Sequence, residues 1–155
     1  MAGLCGSCTA CCRVFAIPKM DKPAGKWCTH CSIGKGCKIY DTRPQTCIDF
    51  TCLWLESHYH DADMPIEARP DRCKVVFSAT TKEKIIAGTT MPGMENAWRS
   101  GAAKKIIDKL INGGMRVVIG APNSTTKIMI DRFGERTVEM TEPDENGIQW
   151  NKQNV

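Results

Sequence analysis

At 155 residues, with 42% hydrophobic and 25% charged residues, the chain has a globular composition and is long enough to bury a core of its own. No apolar run approaches the roughly 18 residues needed to span a bilayer, and only residues 1–4 precede the first cysteine, so neither a membrane helix nor an export signal is expected and the compartment reads as cytoplasmic. The net charge of +4 is mild and would be offset by thiolates, so charge alone makes no case for nucleic acid.

Cysteine usage divides the chain. Of its 10 cysteines only Cys73 lies beyond Cys52. Residues 1–60 are poor in branched aliphatics and rich in Cys, Gly, Lys and Pro, a composition that needs cross-links in place of an apolar core. A cysteine-rich metal-binding module over 1–60 is therefore expected, followed by a small α+β half over 61–155 packed against it as one compact unit.

The module opens with Cys5-x-x-Cys8-x-x-Cys11-Cys12. On a helix these four would fall within an arc of roughly 120°; if Gly6 and Ser7 make a knuckle turn instead, Cys5 and Cys8 act as a pair. Cys28-x-x-Cys31 and Cys37 follow. Thr42-Arg43-Pro44 reads as the start of a helix over 45–55 carrying Ile48, Cys52 and Leu55 on one face. On that straight helix Cys47 and Cys52 would point about 140° apart and, unless the helix begins after Cys47, would not serve one ion, so one of them is expected to serve a different ion or simply to pack. Residues 57–65 read as a loop.

Beyond it, 74–80 and 84–90 alternate as two strands of a hairpin turning at Thr81-Lys82-Glu83. Residues 95–112 predict a helix with Trp98, Ala102, Ile106, Ile107, Leu110 and Ile111 on its apolar face, stopped by Gly113-Gly114. Strands follow at 115–119, 127–130 and 136–140, with turns at 121–125 and Phe133-Gly134, and the polar tail after Glu142 is expected to fray. The β-β-α-β-β-β order predicts an α+β fold, a mostly antiparallel sheet with one covering helix.

Two-residue spacers let a tight turn aim both sulfurs of a pair at one ion while backbone amides donate to the thiolates. The candidate ligands are Cys5, Cys8, Cys11, Cys12, Cys28, Cys31, Cys37, Cys47 and Cys52. Tetrahedral thiolate sites use cysteines in fours, so two sites leave one cysteine over. His30 can substitute in one of them, although a solvent-facing turn residue is the simpler reading. His58 and His60, beside Asp61 and Asp63, would share a face on a strand; a solvated polar loop is their default. A disulfide framework competes with metal, but a reducing cytosol disfavours it and the vicinal Cys11-Cys12 pair is awkward for it. Cys73 reads as a small buried hydrophobe beside the Val75-Val76-Phe77 strand.

Zinc and iron both stay open. Cys5-x-x-Cys8-x-x-Cys11 matches the first three cysteines of a bacterial ferredoxin run, yet the fourth stands next door at Cys12 and no Cys-Pro follows. The cofactor is zinc or, alternatively, iron as a [4Fe-4S] cluster.

These spacings, together with the string Gly36-Cys37-Lys38-Ile39-Tyr40-Asp41-Thr42-Arg43-Pro44-x-x-Cys47-Ile48-Asp49-Phe50-x-Cys52, resemble the CxxCxxCC family of zinc- or iron-chelating domains, also called the YkgJ-like cysteine cluster family. The resemblance covers residues 5–55 and extends toward Arg69-Pro70-Asp71-Arg72. It implies metal or iron-sulfur binding by these cysteines, in a family most of whose members have no assigned reaction. Some larger relatives resemble flagellin lysine N-methylases that use S-adenosylmethionine; that activity is not carried over, because no glycine-rich loop follows a strand here. Tyr40, Arg43 and Phe50 match the motif: Arg43 is suited to bond backbone carbonyls or screen thiolate charge, and Tyr40 and Phe50 to pack over the site and keep it dry.

The expected function is a metal-binding cysteine-cluster protein acting as a binding or interaction module for an unidentified protein partner, with no membrane. One alternative is an iron-sulfur enzyme or electron carrier. Another is a metal-stapled component of a larger assembly, with Trp54, Trp98 and Trp150 as contact candidates, although Trp98 on a helix face reads first as core. Nucleic-acid binding through Arg99, Lys104, Lys105 and Lys109 is weaker, since a solvated charged helix face is ordinary. No Ser-His-Asp order, carboxylate pair or phosphate loop stands out, so no catalytic residue is named and the balance leans away from an enzyme.

Overall fold

A computed structural model describes residues 5–80, 82, 84–145 and 147–154. The first described residues form a knuckle, not a helix. The Cys8 amide donates to the Cys5 carbonyl at 2.9 Å across Gly6, whose φ of 54° lies in the left-handed region that glycine enters freely. Helix α1 is one short turn, Ala10–Val14, that buries Ala10 and Val14. A tight loop follows, closed by an antiparallel bridge between Ile17 and Lys22 around a 3-10 turn, Pro18–Met20. Strands β1, Cys31–Ser32, and β2, Gly36–Cys37, form a small antiparallel ribbon with Cys31 opposite Cys37.

The helix expected over 45–55 is two helices. Helix α2 spans Gln45–Asp49 and α3 spans Leu53–Tyr59, separated by extended backbone at Phe50 and Cys52. The physical reason lies in the side chains. Helix α2 buries nothing and leaves Ile48 exposed, whereas the break lets Phe50 pack on Phe15, with ring centroids 4.7 Å apart, and α3 bury Trp54 and Leu55. Helix α3 also takes in residues 57–59 of the expected loop and buries Ser57.

Helix α4, Pro70–Cys73, leads into a five-stranded sheet of β3 (Val75–Ala79), β4 (Ile85–Thr90), β5 (Arg116–Gly120), β6 (Thr126–Asp131) and β7 (Gly134–Glu139), ordered as in sequence. All neighbours are antiparallel except β4 and β5, which run parallel with Ile86 opposite Val117. That pair requires a crossover, supplied by helix α5, Gly101–Asn112. The expected α+β fold with a mostly antiparallel sheet is present. Of the turn expected between β3 and β4, Thr81 and Glu83 lie outside the described residues.

Two boundaries differ from expectation. The helix predicted from residue 95 begins at Gly101, because Ser100 is extended and Gly101 has φ 63°; a separate 3-10 turn, Ala97–Arg99, delivers Trp98 to the core. The buried face of α5 is accordingly Ala103, Ile106 and Ile107, with Ala102 only half-buried. The tail turns back instead of fraying: Met140 bridges Asn151, the Thr141 amide donates to the Trp150 carbonyl at 2.7 Å, and Gln149 Nε2 donates to the carbonyls of Ser124 and Thr141.

Alternation along β3 splits its side chains between the two faces of the sheet. Val75 and Phe77 join Ile86, Val117, Ile119 and Ile130 in a core shared with Ile106, Ile107 and Trp98, and with Trp54 and Leu55 of the cysteine-rich half. Val76 faces the other way and packs with Met91, Ala10 and Val14. The cysteine-rich half thus grips β3 from both sides. Among the described residues no helix is long and apolar enough to cross a membrane.

Candidate metal centre

The cysteines fall into two neighbourhoods. The larger begins on α1, which carries Cys11 and Cys12, and the Cys28 amide ties the next segment to it by donating to the Cys12 carbonyl at 3.0 Å. The Cys31 amide donates to the Cys28 carbonyl, also at 3.0 Å, and the β1–β2 ribbon sets Cys37 opposite Cys31. Buried Thr9 anchors this ribbon, its Oγ1 accepting from the Gly34 amide at 3.2 Å and hydrogen-bonding the Cys31 thiol.

Three of these thiols are held above their ordinary range. Cys12 is pushed far above the usual thiol range by its hydrogen bond to Cys11, then by burial, and it also bonds Cys31. Burial, then Cys12, pushes Cys31 up to about 12. Cys47, from α2, is raised by burial and then by Cys12, Cys28 and Cys37. Cys12, Cys31 and Cys47 would each lose a proton more easily alone in water.

The smaller neighbourhood holds Cys5, Cys8 and Cys52. Cys5 is raised by burial and then by Cys52, and Cys12 adds a lesser contribution that marks where the two groups adjoin. Burial pushes Cys8 up to about 11, with Asp71 and Cys52 adding to it. Cys52 is raised chiefly by burial. Cys47 lies within α2, whereas Cys52 is the extended residue that precedes α3, and different charges act on the two thiols. The cause is the break between α2 and α3, not the angle around one helix. Cys73 stands apart, only 8% exposed, its thiol donating to the carbonyls of Ala68 at 3.4 Å and Val75 at 3.3 Å. It packs as the small hydrophobe expected.

Three cations attend these thiols. Arg43 donates to the Tyr40 carbonyl and stacks over the Tyr40 ring with its guanidinium carbon 3.9 Å from the centroid, and its charge favours the thiolates of both Cys5 and Cys47. Arg69 is held by Asp71 and donates to Ser7, beside Cys8, at 3.1 Å. Lys22 is buried, and burial lowers its ammonium below the usual lysine range against the pull of Cys28, Cys12, Cys11 and Cys47. Phe50 packs with Phe15, Cys8 and Cys52 in the cluster around Val14 and Val76, on the dry side of the smaller group.

The histidines serve locally. His58 and His60 sit on or just past α3, not on a strand: His58 Nδ1 pairs with the Trp54 carbonyl at 2.8 Å and His60 faces Glu56 at 3.6 Å. The His30 carbonyl accepts from the Lys38 amide at 2.8 Å in the turn before β1. Lys22 and Thr9 were not visible as site residues in the sequence, since nothing in the spacing separates that lysine from its neighbours; only the fold brings it to the thiols.

In kind the donors fit a metal that prefers thiolate, for sulfur predominates in both groups and cations stand nearby to offset negative charge. Among the described residues, however, no three His, Cys, Asp or Glu side chains form a group that could hold a metal ion. Compared with known proteins, the chain matches no family model, no curated protein and no solved structure.

Proposed function

We propose that the cysteine-rich half binds zinc, or iron as an iron-sulfur cluster, through thiolates, and that the chain works as a metal-dependent binding or interaction module of the CxxCxxCC (YkgJ-like) kind in the reducing cytoplasm. The observation that carries this reading is the tying together of cysteine-bearing segments, the Cys28 amide on the Cys12 carbonyl at 3.0 Å, the Cys31 amide on the Cys28 carbonyl at 3.0 Å and Cys37 opposite Cys31 on the ribbon, with the charges of Cys12, Cys28 and Cys37 also acting to raise the Cys47 thiol. Ligands in the larger group would come from Cys11, Cys12, Cys28, Cys31, Cys37 and Cys47, and in the smaller from Cys5, Cys8 and Cys52. A bound metal would cross-link these segments and, if it were an iron-sulfur cluster, would also carry electrons. Arg43 offsets charge between the two groups, and Tyr40 and Phe50 limit water.

The test is metal analysis and an absorption spectrum of protein purified anaerobically without added metal. Stoichiometric zinc in colourless protein supports the interaction module. A brown preparation that bleaches in air moves the reading to the electron-carrier alternative. Metal-free protein whose cooperative unfolding is indifferent to a chelator overturns metal binding altogether.

A further inference from the structure

Lys22 is 7% exposed, an unusual place for an ammonium, and it makes no ion pair with a carboxylate among the described residues. Its backbone is fixed by the bridge to Ile17, whose amide donates to the Lys22 carbonyl at 2.8 Å. Its Nζ donates to the Arg13 carbonyl at 2.9 Å and to the Phe15 carbonyl, at the end of the helix that carries Cys11 and Cys12. An ammonium has three donors, so two are spent on this helix end and one is left over. That helix end places the ammonium beside the segment of Cys11 and Cys12, and the groups whose negative charge would act on it once ionised are Cys28, Cys12, Cys11 and Cys47.

Capping a helix end explains two hydrogen bonds but not a full positive charge. A neutral donor would serve the carbonyls at far less desolvation cost. Four thiolates around one divalent ion would leave about two negative charges, which a cation already in place would offset.

We propose that Lys22 is the charge-balancing residue of the larger thiol group: it holds the Cys11-Cys12 turn by its carbonyls and offsets the negative charge of the metal-thiolate centre. This rests on the metal-binding reading of that group. Lys22 touches the ligands' surroundings and not the metal, so it acts as a positioning residue.

The experiment is anaerobic titration of metal-stripped full-length protein with cobalt(II), followed by thiolate-to-cobalt charge transfer and by zinc competition, for wild type, Lys22→Met, Lys22→Gln and Lys22→Arg. Thermal unfolding of each metal-free form runs alongside. Loss of charge should weaken metal affinity about 10- to 100-fold, Lys22→Arg should stay nearer wild type, and the metal-free forms should differ little. Lys22→Gln keeps an N–H for the helix end and carries the test if Lys22→Met does not fold. Cobalt bound equally tightly by wild type and the glutamine variant overturns the assignment of Lys22 and leaves metal binding intact. Wild type that takes up neither cobalt nor zinc overturns both.

Discussion

Arg69 grips Asp71 with a two-pronged hydrogen bond, Nε to Oδ1 at 2.6 Å and Nη2 to Oδ2 at 2.7 Å, while the same Nη2 reaches Ser7 Oγ at 3.1 Å. Burial alone would raise the Asp71 carboxyl, but the Arg69 hydrogen bond and charge outweigh it and hold the group below its usual range. One side chain therefore joins the knuckle between Cys5 and Cys8 to the segment that enters the sheet.

Lysine at this position keeps the charge and loses the fork. Arg69→Lys is expected to cost about 1.5–3 kcal/mol, the range for hydrogen bonds to a charged group, read by urea unfolding. Asp71→Asn should cost a similar amount, and the double variant less than the sum. Fully additive losses would mean the two residues stabilise the fold independently.

What the sequence makes legible follows from how local each signal is. Strands β3 and β4 are readable because Val75 to Phe77 and Ile85 to Thr90 present side chains that suit a pleated, packed surface. The start of α5 is not, since Trp98 and Ile106 fit one helical period even though Ser100 and Gly101 break the chain between them. The break after Asp49 is hidden for the same reason: Phe50 leaves the helix for Phe15, a partner far earlier in the chain. Cysteine spacing marks the donors, but which thiol faces which depends on the tertiary fold, and Lys22 has no local signature at all.

Gly88 shows how tightly β4 is packed. A Cβ added there would stand 3.0 Å from Ile119 Cδ1 and Cγ1 and 3.2 Å from Phe77 Cε1, and Ile119 is 1% exposed. Gly88→Ala should destabilise by about 1–3 kcal/mol, the usual cost of overpacking. Adding Ile119→Val, which removes a methyl at the point of collision, should recover part of it. A Gly88→Ala protein as stable as wild type would show that Ile119 moves aside without cost.

Acid should loosen the β6–β7 turn. Asp131 accepts from Arg136 Nη1 at 2.6 Å and from the Phe133 amide at 2.8 Å, and the Arg136 hydrogen bond first, then the amide, holds its carboxyl below the usual range. A depressed carboxylate contributes its stability above the unfolded value of about 3.9 and loses it as pH falls through the folded value. Melting temperature followed from neutral pH into acid should therefore fall less steeply in Asp131→Asn than in wild type. Parallel curves would assign the acid sensitivity to other carboxylates.

The division of the thiols makes a sharper demand on the metal reading. Cys47 is influenced by Cys12, Cys28 and Cys37, whereas Cys8 is influenced by Cys52 and Asp71, and Cys5 most by Cys52 after its own burial. If both groups load, Cys47→Ala and Cys52→Ala should each lower bound metal by about one ion per chain, and the double variant should lose the sum, as independent sites do. Cys73→Ala should leave metal content unchanged, because that thiol is spent on the Ala68 and Val75 carbonyls inside the core. Metal analysis of the four variants, prepared anaerobically beside wild type, decides the matter. If either single substitution empties the protein, the cysteines form one centre through the Cys5 and Cys12 junction, and Arg43, whose charge acts on both Cys5 and Cys47, then lies beside that centre and does not separate two.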